Sequence, residues 1–153
     1  MKRSTLLATA ASLALIFSVS ISAQERGTWR AASSTARAIT GDIVISDAKI
    51  SINFLGFTIA PIRRLEPAET SAAFDTDVNA GGSGNLYRLR IAAEQRFLHH
   101  NTLCGTEDTQ WMATYVSGQD LKVAFFSGST MPVFAMDALA NSTSLCGTFS
   151  YVR

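Results

Sequence analysis

The acidic segment Asp75-x-Asp77-x-Asn79 has the residue types and the spacing of the first three oxygen ligands of a calcium loop. Such a loop also needs a glycine at its sixth position and a bidentate acid at its twelfth. Those two positions hold Ala80 and Leu86, and no flanking helices are indicated. We interpret the segment as a solvated acidic loop. Asp75, Asp77 and Asn79 are weak metal candidates only, and we predict no metal and no other cofactor.

The adjacent histidines, His99 and His100, are the other candidates for metal or acid–base chemistry. Neighbouring side chains of an extended chain point in opposite directions, so the pair does not readily chelate one ion. Glu107 and Asp108 would complete a site only if the fold brought a histidine within hydrogen-bond reach of them in a cleft. No set of nucleophile, base and orienting group is visible, and no serine lies in a nucleophile-elbow sequence. The sequence therefore predicts that the protein is not an enzyme.

The two cysteines, Cys104 and Cys146, stand 42 positions apart in near-identical Leu-Cys-Gly-Thr contexts. Redox dithiols usually occur as Cys-x-x-Cys beside a group that stabilises a thiolate, and neither cysteine has that setting. Two cysteines in an exported chain most simply form one bridge. We predict a structural disulfide that ties the last strand back onto the domain.

The amino terminus predicts export. A basic start, Met1 to Arg3, precedes an apolar run from Leu6 to Ile21, and small residues end the segment at Ala23. This is the pattern of a secretory signal peptide spanning residues 1–23 and cleaved after Ala23. A membrane anchor is the alternative, but the apolar part is short and no basic stop-transfer cluster follows. The prediction is a periplasmic or secreted protein with one domain, 24–153, whose first residues, Gln24 to Arg26, are frayed.

The net charge of that domain limits the classes of partner that it is expected to bind. Without Lys2 and Arg3 the chain has 11 basic and 12 acidic residues, which is close to neutral. A neutral domain has no electrostatic basis for broad binding to nucleic acid or to an anionic membrane. We predict no nucleic-acid partner, no membrane span in the mature form and a monomer. The expected partner is an unknown protein or small ligand in the periplasm.

The fold class follows from hydrophobic alternation. From Ile43 onward, β-branched residues recur with period two, which is the pattern of half-buried strands and not of a helix. We predict that one face is interior and the other exposed, the interior one holding Ile43, Ile45, Ile50, Ile52 and Phe54 and the exposed one Lys49, Ser51 and Asn53. The run is expected to break at Leu55-Gly56.

Later segments repeat the alternation, at Tyr87–Ile91, Trp111–Tyr115, Leu121–Phe125 and Phe149–Tyr151. Glu66 to Glu69 is predicted to be loop, and Val133 to Met136 a short strand. Strands of this length and spacing predict an all-β domain. We expect a single antiparallel β-barrel or strongly curved sheet of about eight strands with one disulfide.

Three aromatic residues are the candidate ligand contacts: Trp29, Trp111 and Tyr115. Tryptophan mainly contributes buried area, so the alternative for Trp29 is a residue that fills the core. A pocket lined by all three would favour a binding protein.

A set of short motifs carries a resemblance. These are Trp29, Thr35-Ala36-Arg37-Ala38-Ile39-Thr40-Gly41-Asp42-Ile43, Leu86-Tyr87-Arg88, Asn101-Thr102-Leu103-Cys104-Gly105 and Leu145-Cys146-Gly147-Thr148-Phe149-Ser150-Tyr151. Together the motifs resemble an uncharacterised family of small exported proteins from Gram-negative bacteria. The resemblance covers most of residues 24–153. It implies export, the disulfide and one β domain, and it implies no catalytic or binding residue.

The expected function is a non-catalytic binding or inhibitory module. Some periplasmic inhibitors of lysozymes and proteases are also small disulfide-tied barrels, which is a likeness of architecture alone. The alternative is a structural or stress-related cell-envelope protein without a discrete ligand site. A barrel filled by its own side chains would favour that alternative.

Overall fold

The computed structural model describes residues 24–153, so the predicted signal peptide lies outside the described residues. Within residues 24–153, neighbouring strands pair antiparallel in chain order, and β1 pairs with β8 to close a barrel. The strands are β1 (Gly27–Ala31), β2 (Ile43–Ile45), β3 (Lys49–Ile52), β4 (Leu55–Leu65), β5 (Ser83–Ile91), β6 (Thr109–Ser117), β7 (Asp120–Ser127) and β8 (Leu145–Val152). The predicted all-β class and antiparallel barrel are confirmed, and closure leaves no free sheet edge among these strands.

Three short helices connect the strands: α1 (Ser34–Ile39), α2 (Pro67–Phe74) and α3 (Met136–Ala140). A 3₁₀ turn, Leu98–His100, lies between β5 and β6. No helix in the described part of the chain is long and apolar enough to cross a membrane.

Most of the side chains that fill the barrel are apolar and come from alternate positions of its strands. Trp29, Ile50, Ile52, Leu121 and Phe125 are each fully buried there. We call this set the interior cluster; it also includes Ile43, Ile45, Ile59, Tyr87, Leu89, Ile91, Met112, Val116, Val123, Phe149 and Tyr151. The interior is therefore a packed core and not a ligand-sized cavity.

A second apolar cluster lies outside the barrel, on the face formed by β5 to β8. Helix α2 contributes Phe74, and the chain before α3 contributes Phe134. This outer cluster contains Leu65, Phe74, Leu86, Trp111, Ala113, Tyr115, Ala124, Phe126 and Phe134. Strands β6 and β7 are thus buried on both faces, which explains the continuous apolar run at the end of β7.

The predicted register is right for the isoleucines and wrong for Phe54. Ile43, Ile45, Ile50 and Ile52 are buried as expected. Phe54 is instead fully exposed, because Asn53 and Phe54 form the two-residue turn between the paired residues Ile52 and Leu55. The break expected at Leu55-Gly56 therefore falls two residues earlier.

Two local predictions about the connections are also wrong. Glu66 to Glu69 was expected to be loop, but Pro67 opens α2, and the backbone N–H of Glu66 donates to Glu69 Oε2 at 2.9 Å. Proline at the first helical position is a strong helix-start signal, and so is an acid at N3 whose side chain accepts from the N-cap backbone N–H. Val133 to Met136 forms no strand, and Met136 begins α3.

The disulfide is confirmed. Cys104, in the β5–β6 connection, is bonded to Cys146 near the start of β8, with their Cα atoms 4.9 Å apart. Both cysteines pack against the interior cluster. The bridge therefore fixes the last strand to a distant connection at one end of the barrel.

Gly84 lies where α2 packs closely against the barrel. A β-carbon at this position would lie 2.2 Å from Thr70 Cγ2 and 3.1 Å from Leu65 Cβ. We expect Gly84→Ala to lower the free energy of unfolding by about 1–3 kcal/mol, because the added methyl group would overpack the contact between α2 and the barrel. Urea denaturation measures this loss. Thr70→Ser removes Cγ2 and keeps the hydroxyl that donates to the Pro67 carbonyl. The double variant should regain part of the loss, and strictly additive effects would contradict this account.

Candidate functional site

The structure does not bring the three candidate aromatic residues together. Trp29 points into the barrel and is fully buried in the interior cluster. Trp111 and Tyr115 point outward from β6 into the outer cluster. The barrel wall therefore separates Trp29 from the other two, and no shared pocket is formed.

The two outward aromatic residues are held by contacts within the protein. The Trp111 indole N–H donates to the Gly128 carbonyl at 3.1 Å, and the Arg88 guanidinium lies 4.4 Å from the Trp111 ring centroid. Tyr115 stacks on Phe74, with ring centroids 6.1 Å apart. Trp111 and Tyr115 are consequently almost completely buried.

The weak calcium candidates lie at the end of α2 and in the loop that follows. Asp75 ends the helix in the left-handed conformation, and Asp77 Oδ1 accepts from the backbone N–H of Asn79 at 2.8 Å. The Asp77 carboxylate thus stabilises a local turn. In the described part of the chain, no group of three or more His, Cys, Asp or Glu side chains is placed to share a metal ion.

The histidines are not joined to the nearby acids. His99 and His100 are exposed, and both have positive φ. Asp108 accepts instead from Arg90 Nε at 3.1 Å and from the backbone N–H of Ala93 at 3.0 Å. The arrangement that would have indicated acid–base chemistry is not formed by these residues.

The most unusual surface feature is the β3–β4 turn. Asn53 and Phe54 have φ of 48° and 66°, which is the left-handed region, and Phe54 has a relative exposure of 102%. Two-residue hairpins of this geometry favour Asn-Gly, because glycine adopts positive φ without steric cost. Asparagine at the first position fits that preference, whereas a bulky aromatic residue at the second does not. A large apolar side chain is therefore presented to solvent on strained backbone.

Beside this turn the outer surface of the barrel forms a hollow of about 410 Å³. Its floor is the outward row Thr28, Val44 and Ser51, which are direct neighbours across β1, β2 and β3. The rest of its lining is Thr40, Gly41, Asp42, Asn53, Phe54 and Leu98. Neither α2 nor α3 covers the outer face of β1, β2 or β3. The outer face of β5–β8, in contrast, is covered by the outer cluster.

The wall of the hollow formed by the chain after α1 is tied firmly to the barrel. Asp42 Oδ1 accepts from the backbone N–H of Ala31 at 2.9 Å. The Thr40 hydroxyl lies 2.7 Å from the Tyr151 hydroxyl, and burial raises the pKa of Tyr151 well above the usual tyrosine range. The phenol therefore stays protonated, and its contact with Thr40 holds this wall of the hollow against β8.

Sequence reasoning missed one further group, the carboxylate of Glu25. Residues Gln24 to Arg26 were predicted to be frayed, but Glu25 is 1% exposed, and its side chain accepts hydrogen bonds from Asn85, Tyr87 and Thr114. Burial, followed by the negative charge of Glu25, raises the pKa of Tyr87, which keeps this phenol protonated as a donor. The partners lie 60 to 89 positions away, so no local pattern could have indicated them.

The chain matches no protein-family model, no curated protein and no solved structure. The resemblance to a family of small exported Gram-negative proteins therefore stays a prediction.

Proposed function

We propose that this protein is an exported, non-catalytic binding module that contacts a partner protein through Phe54 and the hollow beside it. The disulfide and the compact β fold fit an exported protein, and the proposed location is the periplasm or the extracellular space. The observation that carries the proposal is the complete exposure of Phe54 on left-handed backbone.

A ligand carried inside the barrel is a poor alternative. Trp29, Ile50, Phe125 and Leu121 have no exposed surface and fill the space that a ligand would need. Small-molecule sites in barrels require an open interior or mouth. A recognition surface of this fold is therefore expected on its outside.

On the described surface, exposed apolar groups project next to a concavity at the Phe54 turn and at Met131 and Val133 before α3. Phe54 differs from the second group in its complete exposure and its left-handed backbone. Phe54 stands at the tip of the turn, and Val44 and Leu55 are partly exposed next to it. Protein interfaces commonly have an aromatic residue that enters a pocket of the partner, surrounded by near-neutral contacts. The partner inferred from this shape is a folded protein with an apolar pocket that receives the Phe54 ring.

The left-handed backbone at Phe54 allows stability and binding to be separated, since glycine suits this turn position better than phenylalanine does. We expect Phe54→Gly to raise the free energy of unfolding by up to about 1 kcal/mol, because the left-handed conformation costs glycine almost nothing. The same change should weaken partner binding by about 30-fold or more, which is the effect of removing a central interface residue. The measurements are urea denaturation and pull-down from periplasmic extract, analysed by mass spectrometry.

The matched control is Val78→Ser. Val78 is half-exposed and lies in the connection after β4, at the other end of the barrel from the turn. This variant should capture the same partner as the unmodified protein. A partner retained by Phe54→Gly, or lost equally by both variants, would contradict the proposal. If the partner is an enzyme, titrating its activity with the two variants tests the inhibitory form of the proposal.

The second candidate function is a structural or stress-related cell-envelope protein without a discrete ligand site. The filled interior cluster favours it, because a packed barrel can serve as a stable element without a ligand. The two candidates differ in what Phe54→Gly does. For an envelope component without a discrete site, no captured protein should depend on Phe54.

A further inference from the structure

Glu25 places a carboxylate inside the barrel without a cationic partner. The ion pairs of the described residues join Arg26 to Asp47, Arg63 to Glu69 and Arg90 to Asp108, and none includes Glu25. A buried carboxylate is costly unless hydrogen bonds replace its lost hydration. The surroundings of Glu25 supply those hydrogen bonds from neutral groups only.

Three donors converge on this carboxylate. Asn85 Nδ2 and the Thr114 hydroxyl donate to Oε1 at 2.7 and 2.5 Å, and the Tyr87 hydroxyl donates to Oε2 at 2.6 Å. Both oxygens are thus engaged, at the short distances typical of hydrogen bonds to a charged acceptor. The site favours a carboxylate, because all three groups donate to it and each of its two oxygens has a donor.

The donor set belongs to the barrel and not to the segment that carries Glu25. Asn85 and Thr114 are direct partners in the β5–β6 ladder, and Tyr87 follows Asn85 on the same face of β5. Their positions are therefore set by strand pairing before Glu25 is considered. We propose that Asn85, Tyr87 and Thr114 form a carboxylate-binding site in the barrel, which Glu25 occupies as a tethered ligand and which accepts a free small monocarboxylate when the Glu25 side chain is absent.

The backbone around Glu25 has its own supports, so truncating the side chain should leave the segment in place. The Trp29 indole N–H donates to the Glu25 carbonyl at 2.8 Å. The Arg153 guanidinium donates to the carbonyls of Gln24 and Arg26, the latter at 2.7 Å. The atoms that Glu25→Ala removes, a methylene and a carboxylate, correspond in size to acetate. The variant should therefore contain a vacancy of the size of acetate, lined by three donors.

The test is chemical rescue of Glu25→Ala by acetate. The thermal midpoint of the purified variant is measured at neutral pH in sodium acetate and in sodium chloride of equal ionic strength. At an acetate concentration ten times its Kd, the folding equilibrium constant should rise about tenfold, which raises the midpoint by several degrees. Acetamide should give a smaller rise, since its single carbonyl oxygen can accept at only one of the two positions that the carboxylate oxygens occupy. The unmodified protein should show the same midpoint in both salts.

The matched control is Tyr87→Phe in the Glu25→Ala background, which deletes one donor and keeps the ring. It should lose most of the rescue by acetate. Equal rescue with and without the Tyr87 hydroxyl, or no difference between acetate and chloride, would overturn the proposal. If Glu25→Ala does not fold in chloride, refolding in acetate is the readout, and failure to refold there would also overturn it.

Discussion

Replacing Cys104 and Cys146 together with alanine is expected to lower the free energy of unfolding by about 4 kcal/mol, from the chain entropy of a loop of this length. The bridge closes a loop of 42 positions, and both cysteines pack against the interior cluster. Since small domains have only about 5–15 kcal/mol of stability, this loss is a large part of the total. Strands β1 to β8 should still form in the variant, because the interior cluster is otherwise unchanged.

The measurement is urea denaturation followed by circular dichroism. The unmodified protein, oxidised and fully reduced, is the matched control, because the reduced form loses the bridge without losing any side chain. Reduced protein and double variant should unfold at similar urea concentrations, both well below the oxidised protein. Equal midpoints for oxidised and reduced protein would show that the bridge contributes little to stability.

The sequence was informative wherever a residue's surroundings are set by its near neighbours. Alternation in Ile43 to Ile52 predicted strands with one buried face, because period two is a property of the extended chain itself. The cysteine pairing followed from composition and compartment. The all-β class rests on these signals, but they left a closed barrel and a strongly curved sheet as alternatives, and the pairing of β1 with β8 decides between them.

Sequence reasoning failed where a distant partner or a single turn residue decides the outcome. Alternation alone placed Phe54 inside, because apolar character at the right spacing does not reveal that Asn53 begins a tight turn. Asparagine is one of the few residues that tolerate the left-handed conformation, and that was the available signal. Trp111 and Tyr115 share a face as expected, but that face points outward into the cluster covered by α2, a helix that begins at Pro67.

Trp29→Ala is expected to lower the free energy of unfolding by about 3–5 kcal/mol, which is the usual range for removing a fully buried large aromatic side chain. Trp29 has no exposed surface, and its indole N–H holds the Glu25 carbonyl at 2.8 Å. The Arg153 guanidinium lies 4.2 Å from the centroid of the Trp29 ring. The variant therefore loses apolar burial and the contacts that join the two ends of the described chain.

Trp29→Phe separates these contributions. Phenylalanine keeps much of the buried area but leaves the Glu25 carbonyl without the indole N–H, a loss of about 1–3 kcal/mol for an unpaired buried acceptor. Urea denaturation gives the stability of both variants. Pull-down of the Phe54-dependent partner at low denaturant shows whether each variant still binds it. If Trp29 is a core residue, both variants lose stability and Trp29→Phe still captures the partner. A variant that lost the partner at full stability would instead make Trp29 a ligand contact, and the recognition surface would then have to include the inside of the barrel.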